Sequence, residues 1–263
     1  MTPDEKSARC PKGRIFGSLH SARYDYDVSV VVPAYNEERR IGETLRAIHR
    51  YFADKQTTRE IIVVDDGSSD NTAGVVGELR NEIVDLVIIT YKPNRGKGYA
   101  IRKGVENSRG EYILFTDADN STPIEEFEKF YPLLKDEKVV IGSRYIPGSN
   151  VVIKQPPFRV LLGRLANMLI QLFLLDGVKD TQCGFKVFQH VAAKEIFSRM
   201  KICRFGFDIE ILSIARLLNY PIKEIPVNWY NSSESRVRPL KDALRTFGEL
   251  IYIKFNLWSG RYG

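Results

Sequence analysis

The sequence predicts an α/β protein with a mostly parallel sheet flanked by helices. Three observations predict it. The runs Val28-Ser29-Val30-Val31-Val32 and Glu60-Ile61-Ile62-Val63-Val64 are β-branched and nearly continuously apolar, the pattern of strands buried on both faces. Segments of helical spacing separate such runs, which implies βαβ units with right-handed crossovers. Polar clusters fall where several strands should end, the edge at which parallel sheets bind ligands.

Residues 1–26 read as a polar leader without the apolar stretch of a signal peptide. Val28–Val32 is the first strand, and Pro33 is expected to stop it. A helix over Glu38–Ala53 follows, with Ile41, Leu45 and Ile48 on one face. The second strand ends at Asp65-Asp66-Gly67-Ser68-Ser69-Asp70, where Ser69 or Asp70 can cap a helix to about Asn81. Strand Val84–Tyr91, helix Gly98–Ser108, strand Tyr112–Thr116 and helix Pro123–Leu134 continue the alternation. Beyond residue 140 it breaks down. A strand at Val139–Arg144 and a loop at Pro147–Pro157 precede an apolar helix, Phe158–Leu175. Helices at Val187–Met200 and Phe207–Leu218, a strand at Ile222–Trp229 and an amphipathic helix at Leu240–Leu257 complete the chain.

At 263 residues and 43% hydrophobic, the chain is large enough for a full core. Its net charge of +6 favours an anionic partner: nucleic acid, lipid headgroups or a phosphorylated substrate. No aromatic-plus-basic signature of a known RNA module is present, which disfavours nucleic acid. No run of 18 uncharged apolar residues exists, so no transmembrane helix is expected. Cys10, Cys183 and Cys203 are too few and too scattered for a disulfide framework or a zinc site, so a reducing cytoplasm is the default.

The strand Tyr112–Thr116 ends in Asp117-Ala118-Asp119. Two carboxylates at a sheet lip repel unless a cation lies between them, and a divalent metal completed by a diphosphate fits. The small Ala118 leaves room for a ligand. A helix cap by Asp119 is the plainer alternative. Asp65 and Asp66 can accept from a nucleoside or serve as a cap. Asn94-Arg95-Gly96-Lys97-Gly98 combines two glycines with two cations, as a diphosphate requires, although it lacks the spacing of a Walker A loop. In the helix Phe158–Leu175, Arg159, Gly163, Asn167 and Gln171 recur every four residues with Arg164 beside them, so the helix lies either in the core or at a membrane surface. Asp208 and Glu210 could act as base, acceptor orienter or cap.

Together, Val32-Pro33-Ala34-Tyr35-Asn36-Glu37, Val64 to Asp70, Asn94 to Gly98, Asp117 to Asp119, Gly142-Ser143-Arg144-Tyr145 and Asp180 to Lys186 resemble the family-2 glycosyltransferases of GT-A fold. Asp180–Lys186 and Val227-Asn228-Trp229 are most similar to the dolichyl-phosphate β-glucosyltransferase branch of the polyprenyl-phosphate hexose synthases. The resemblance implies an inverting transfer of glucose from UDP-glucose to a polyprenyl or dolichyl phosphate. It implies that Pro33, Tyr35, Glu37 and Asp66 hold the uridine, with Asp65 also at the donor. It further implies Mg²⁺ or Mn²⁺ on Asp117 and Asp119, with Lys97, Ala118 and Arg236 at the donor. Arg144 and Arg159 would grip the lipid phosphate, helped by Lys154. Residues 27–240 would form the GT-A domain, with acceptor- and membrane-facing elements at about 142–176. Residues 241–263 would form an amphipathic helix holding the protein peripherally on the cytoplasmic membrane face. Other donors (GDP-mannose or a UDP-N-acetylhexosamine), a soluble glycan acceptor, or a non-catalytic nucleotide-sugar-binding module are the alternatives.

Overall fold

The computed structural model describes residues 24–152, 167–230 and 239–263. Seven strands form one sheet in the order β3-β2-β1-β4-β7-β5-β8. They are β1 (Tyr26–Ala34), β2 (Arg59–Asp65), β3 (Leu86–Thr90), β4 (Gly110–Thr116), β5 (Val139–Ser143), β7 (Phe185–Gln189) and β8 (Ile222–Pro226). All run parallel except β7, which is antiparallel between β4 and β5. β6 (Asn150–Val151) and β9 (Asn228–Trp229) pair separately in parallel.

The continuous apolar reading of β1 has a simple cause. Val28, Val30 and Val32 face one core layer, with Ile41, Leu45 and Ile48 of α1 (Ile41–Ala53). Val31 faces the other, with Ala100, Ile101 and Val105 of α3 (Lys97–Asn107). Both faces of the strand are therefore apolar, as a sheet covered on both sides demands. α2 (Thr72–Leu79) covers the first face. α6 (His190–Arg199) and α7 (Phe207–Leu217) cover the second.

Several expectations are corrected. Pro33 does not end the first strand, because it pairs with Val64 and β1 runs on to Ala34. The helix expected at Pro123–Leu134 is broken into a 3-10 turn, α4 (Phe127–Phe130) and a second 3-10 turn at Tyr131–Leu133. Pro132 lacks an N–H and cannot continue an α-helix. The segment from Val187 is not helical at its start, since Phe185–Gln189 fills the sheet between β4 and β5, and helix begins only at His190. Cys183 is buried and free, and Cys203 is disulfide-bonded.

Residues 167–173 form helix α5. α8 (Pro239–Trp258) lies beside it, and Lys254 Nζ donates to the Phe173 carbonyl at 2.9 Å. Leu250 and Ile253 face the core, so α8 is apolar on two sides. On the outer side Phe247, Ile251, Phe255 and Trp258 are exposed, with Met168, Leu172 and Phe173 of α5. Tyr262, near the C-terminal end, is fully buried. Among the described residues no helix is long and apolar enough to cross a membrane.

Candidate active site

β2, β1 and β4 are adjacent and parallel, so their polar carboxyl ends lie side by side. Asp117 directly follows β4, and Lys97 Nζ lies 2.5 Å from its Oδ1. Gly184 closes the other side of this carboxylate. A Cβ at Gly184 would come within 2.0 Å of Asp117 Oδ2, so only glycine leaves the carboxylate where it is. The Asp119 Oδ1 accepts the Ser121 N–H at 3.0 Å, and its Oδ2 lies 3.8 Å from Arg40 Nη1. The helix-cap alternative for Asp119 thus contributes a turn, with Asn120 at φ 53°. Ala118 is buried in the core, and its carbonyl accepts from Thr44 Oγ1 at 2.7 Å. Its methyl packs in the core beneath the two carboxylates.

Beneath this lip lies a second ion pair. Lys186 is fully buried and donates to Asp208 Oδ1 at 2.5 Å and to the Cys183 carbonyl at 2.6 Å. Burial pushes the Asp208 carboxyl up, against the pull of Lys186 and Lys97. Burial also pulls the Lys97 ammonium down, but Asp117, Asp208 and Asp119 outweigh it and hold the pKa above the usual lysine value. The site is therefore a run of alternating charges: Asp117, Lys97, Asp208, Lys186.

The partly exposed Asp117 and Asp119 carboxylates suit a hard divalent cation. Among the described residues no group of three His, Cys, Asp or Glu gathers to hold a metal. A cation bound by one or two carboxylates and completed by phosphate oxygens and water needs no third protein ligand. The donor set fits such an ion.

The carboxylates of the β2 end are engaged internally. Asp65 Oδ1 accepts the Ser68 N–H at 3.0 Å and the Ser68 hydroxyl, folding the turn. Asp66 takes the Arg95 and Gly96 N–H groups and the Asn94 amide, each at 2.7 Å. Burial nevertheless raises its pKa. In this structure Asp66 anchors the neighbouring loop: it fixes the Asn94–Gly98 turn from which Lys97 projects. The glycines of that turn admit the protein's own chain. Gly96 sits at φ 102°, and a Cβ there would meet the Cys203 carbonyl at 2.7 Å. Glu37 is forked onto Arg40, from Nε and Nη2 at 2.8 Å each. Pro33 is buried in β1, and Tyr35 is exposed just beyond it.

Arg144 follows β5, two strands from β4 in the sheet. Its Nε and Nη2 donate to Asp180 Oδ2 and Oδ1 at 2.7 and 2.9 Å. The guanidinium lies 5.4 Å from the Tyr145 ring centroid and 5.3 Å from that of Trp229. Asp180 is in turn fixed by Glu224, which accepts the Lys179 and Asp180 N–H groups at 2.8 and 2.9 Å. Burial alone would raise the Asp180 pKa, but Arg144 keeps it below the usual carboxylate range. Ser143 Oγ and Thr181 Oγ1, flanking this pair in sequence, are buried with no hydrogen-bond partner among the described residues. Arg159, Lys154, Gly163 and Arg164 lie outside the described residues, as does Arg236.

Sequence reasoning assigned no role to Arg40, Asp180, Gly184 or Lys186. Arg40 had a visible signal, three residues after Glu37 on the first helix turn. Asp180, Gly184 and Lys186 all stood in a noted motif, without a pairing to interpret them. Glu210 proves structural. It accepts the Lys201 and Ile202 N–H groups at 3.0 and 2.7 Å and the Tyr262 hydroxyl at 2.6 Å.

Residues 29–197 match the family described as Glycosyl transferase family 2. The chain belongs to glycosyl transferase family 2. It is a glycosyltransferase, and the central sheet is of the kind this family carries. It is similar to a dolichyl-phosphate beta-glucosyltransferase of Homo sapiens, at 37% identity over 89% of this chain and 77% of that one. The enzyme of the same description from Saccharomyces cerevisiae is 35% identical, over 98% of this chain and 83% of its own. Among solved structures, glucosyl-3-phosphoglycerate synthase from Mycobacterium tuberculosis, crystallised with Mn²⁺ and UDP-glucose, shares the fold. Its TM-score is 0.63 at 18% identity, covering 88% of this chain and 80% of that one.

Proposed function

We propose that this glycosyltransferase moves glucose from UDP-glucose to dolichyl phosphate, or a related polyprenyl phosphate, with inversion at the sugar and with a divalent cation, Mg²⁺ or Mn²⁺, on Asp117 and Asp119. The observation that carries the reading is the pairing of two features on one sheet edge. A carboxylate-and-lysine centre stands at the end of β4, and a pinned arginine stands at the end of β5. The first suits a nucleotide diphosphate and the second an acceptor phosphate. The relatives described as dolichyl-phosphate beta-glucosyltransferases support the choice of sugar and acceptor.

A divalent cation there would neutralise charge on the departing diphosphate. The chain's own residues do the rest. Asp66 anchors the turn that aims Lys97 at the donor. Asp180 holds Arg144 in a fixed fork, and Tyr145 and Trp229 flank its plane, so one cation is preorganised for the incoming phosphate. Arg159 and Arg236 would add charge to the acceptor and donor sides respectively. A phosphate monoester is already anionic at neutral pH, with a second pKa near 6, so the attacking oxygen needs no general base. The engagement of Asp208 by Lys186 supports that view over a soluble sugar acceptor, whose hydroxyl would need a free carboxylate.

A lipid acceptor implies a membrane surface. The exposed apolar side of α8, with Lys254 and Arg261 beside it, supports peripheral docking on a membrane, and the cytoplasmic face is the side we propose. The test is transfer of label from UDP-[14C]glucose in the presence of Mn²⁺. Labelled lipid from dolichyl phosphate, and none from soluble glycans, is expected. Label appearing only in a soluble glycan, or only from GDP-mannose, would refute the assignment.

A further inference from the structure

Lys97 is the first residue of α3, preceded by Gly96 with no side-chain cap. A cation at a helix N-terminus opposes the helix dipole, so its position is unfavourable locally. What holds it there is Asp117 at 2.5 Å, with Asp208 and Asp119 adding attraction. Arg40 stands in a similar relation to Asp119, at 3.8 Å. The two carboxylates assigned to a divalent cation therefore already carry cations supplied by the protein.

We propose that Lys97 and the divalent cation exchange at Asp117, and that this exchange couples the cation to the nucleotide diphosphate. The inference rests on the reading that Asp117 and Asp119 hold the ion. A doubly charged ion at Asp117 repels the Lys97 ammonium, which must give up its contact. Without a nucleotide, the carboxylate left beside it among the described residues is Asp208, which is already paired with Lys186. With a nucleotide bound, the diphosphate receives the ammonium. Each ligand alone binds against an existing ion pair, and the two together satisfy every charge. The coupling is reciprocal, so UDP tightens the cation and the cation tightens UDP by the same factor.

The test uses Mn²⁺ titrations of the full chain followed by electron paramagnetic resonance, with and without UDP. For the wild type, UDP is expected to tighten Mn²⁺ by roughly 5- to 150-fold, the usual span of such couplings. Lys97→Met should bind Mn²⁺ alone roughly 1.5- to fivefold more tightly, as loss of a partly exposed ion pair permits. It should lose the part of the tightening by UDP that comes from the ammonium moving to the diphosphate, so the effect of UDP is smaller than in the wild type. Lys97→Arg, which keeps the charge, should bind Mn²⁺ alone like the wild type. Lys97→Met loses the contact with Asp117 together with a charge opposed to the helix dipole, and a melting curve verifies that it folds. Unchanged or weaker Mn²⁺ binding by Lys97→Met, or an unchanged effect of UDP, overturns the exchange. No Mn²⁺ binding by either protein, with or without UDP, overturns the metal reading itself and the exchange with it.

Discussion

The two edges of the sheet carry the same kinds of residue in opposite states. At the amino edge, Glu60 is buried and both its oxygens are occupied. Ser29 Oγ and the Arg109 N–H donate to Oε1 at 2.6 and 2.7 Å, and the Arg109 guanidinium binds Oε2 at 3.1 Å. Lys194 donates to the carbonyls of Val105, Glu106 and Ser108 at the end of α3. At the carboxyl edge, Asp117 and Asp119 are partly exposed, and their charge partners are flexible side chains that can be replaced. Charges held by backbone groups knit strands together. Charges held by exchangeable side chains can receive a ligand. Cavity size would mislead here: a cavity of about 280 Å³, lined by Tyr24, Glu111, Tyr112 and His190 among others, lies at the amino edge.

The sharpest way to break this contrast is a pair of substitutions. Asp117→Asn should lower turnover by roughly a thousandfold, the scale of removing charge stabilisation from a reacting centre. Its melting temperature should stay within a few degrees, because Asp117 is about one-third exposed. Glu60→Gln should do the reverse, costing about 1–3 kcal/mol of stability by weakening the hydrogen bonds of a buried acceptor, with turnover per folded molecule unchanged. Urea unfolding and the label-transfer assay on both proteins would show whether the roles separate. If Glu60→Gln lost turnover while remaining stable, the division of the two edges would fail.

Gly184→Ala tests the close approach behind Asp117. The added methyl must push the carboxylate away, and a misplacement of about 1 Å can cost roughly a hundredfold in rate. Steady-state kinetics should show the loss in kcat at saturating UDP-glucose. A smaller effect is expected from Arg144→Lys, which keeps charge and loses the planar fork. About a tenfold rise in KM for the lipid phosphate, with KM for UDP-glucose unchanged, would match its placement at β5. Equal changes in both would move Arg144 to the donor side.

The least dramatic prediction concerns Glu210, whose carboxyl burial pushes up to about 7 against its hydrogen bonds from Tyr262, Ile202 and Lys201. The folded state binds this proton more readily than the unfolded state, so stability is fully present below about 4.5 and falls as pH rises towards 7. Denaturation midpoints across that window should decline for the wild type more steeply than for Glu210→Gln. Parallel declines would locate the titration elsewhere.

Much of this was legible in the sequence. β1, β2 and β4 announce themselves because a sheet covered on both faces requires unbroken apolar runs, and the three polar clusters mark its carboxyl edge. β7 was illegible because Lys186 interrupts it. A lysine inside Phe185–Gln189 signals solvent unless its buried partner, Asp208, is known, and that partner lies 22 residues away. The loop contacts of Asp66 were hidden for a related reason: a carboxylate at a strand end looks the same whether it faces a ligand or three groups of a neighbouring loop. Residue type and strand position locate the edge, but only the fold shows which charges are already saturated.

The most direct measurement is a thermal-shift panel of nucleotide sugars, with and without Mn²⁺, on the wild type and Asp117→Asn. UDP-glucose with Mn²⁺ should stabilise the wild type by about 2.7 kcal/mol at a hundredfold excess over Kd, exceeding GDP-mannose and UDP-glucose without metal. Asp117→Asn should lose that increment. Equal stabilisation by UDP-glucose with and without Mn²⁺, retained in Asp117→Asn, would contradict the assignment of the carboxyl edge as a metal-assisted donor site.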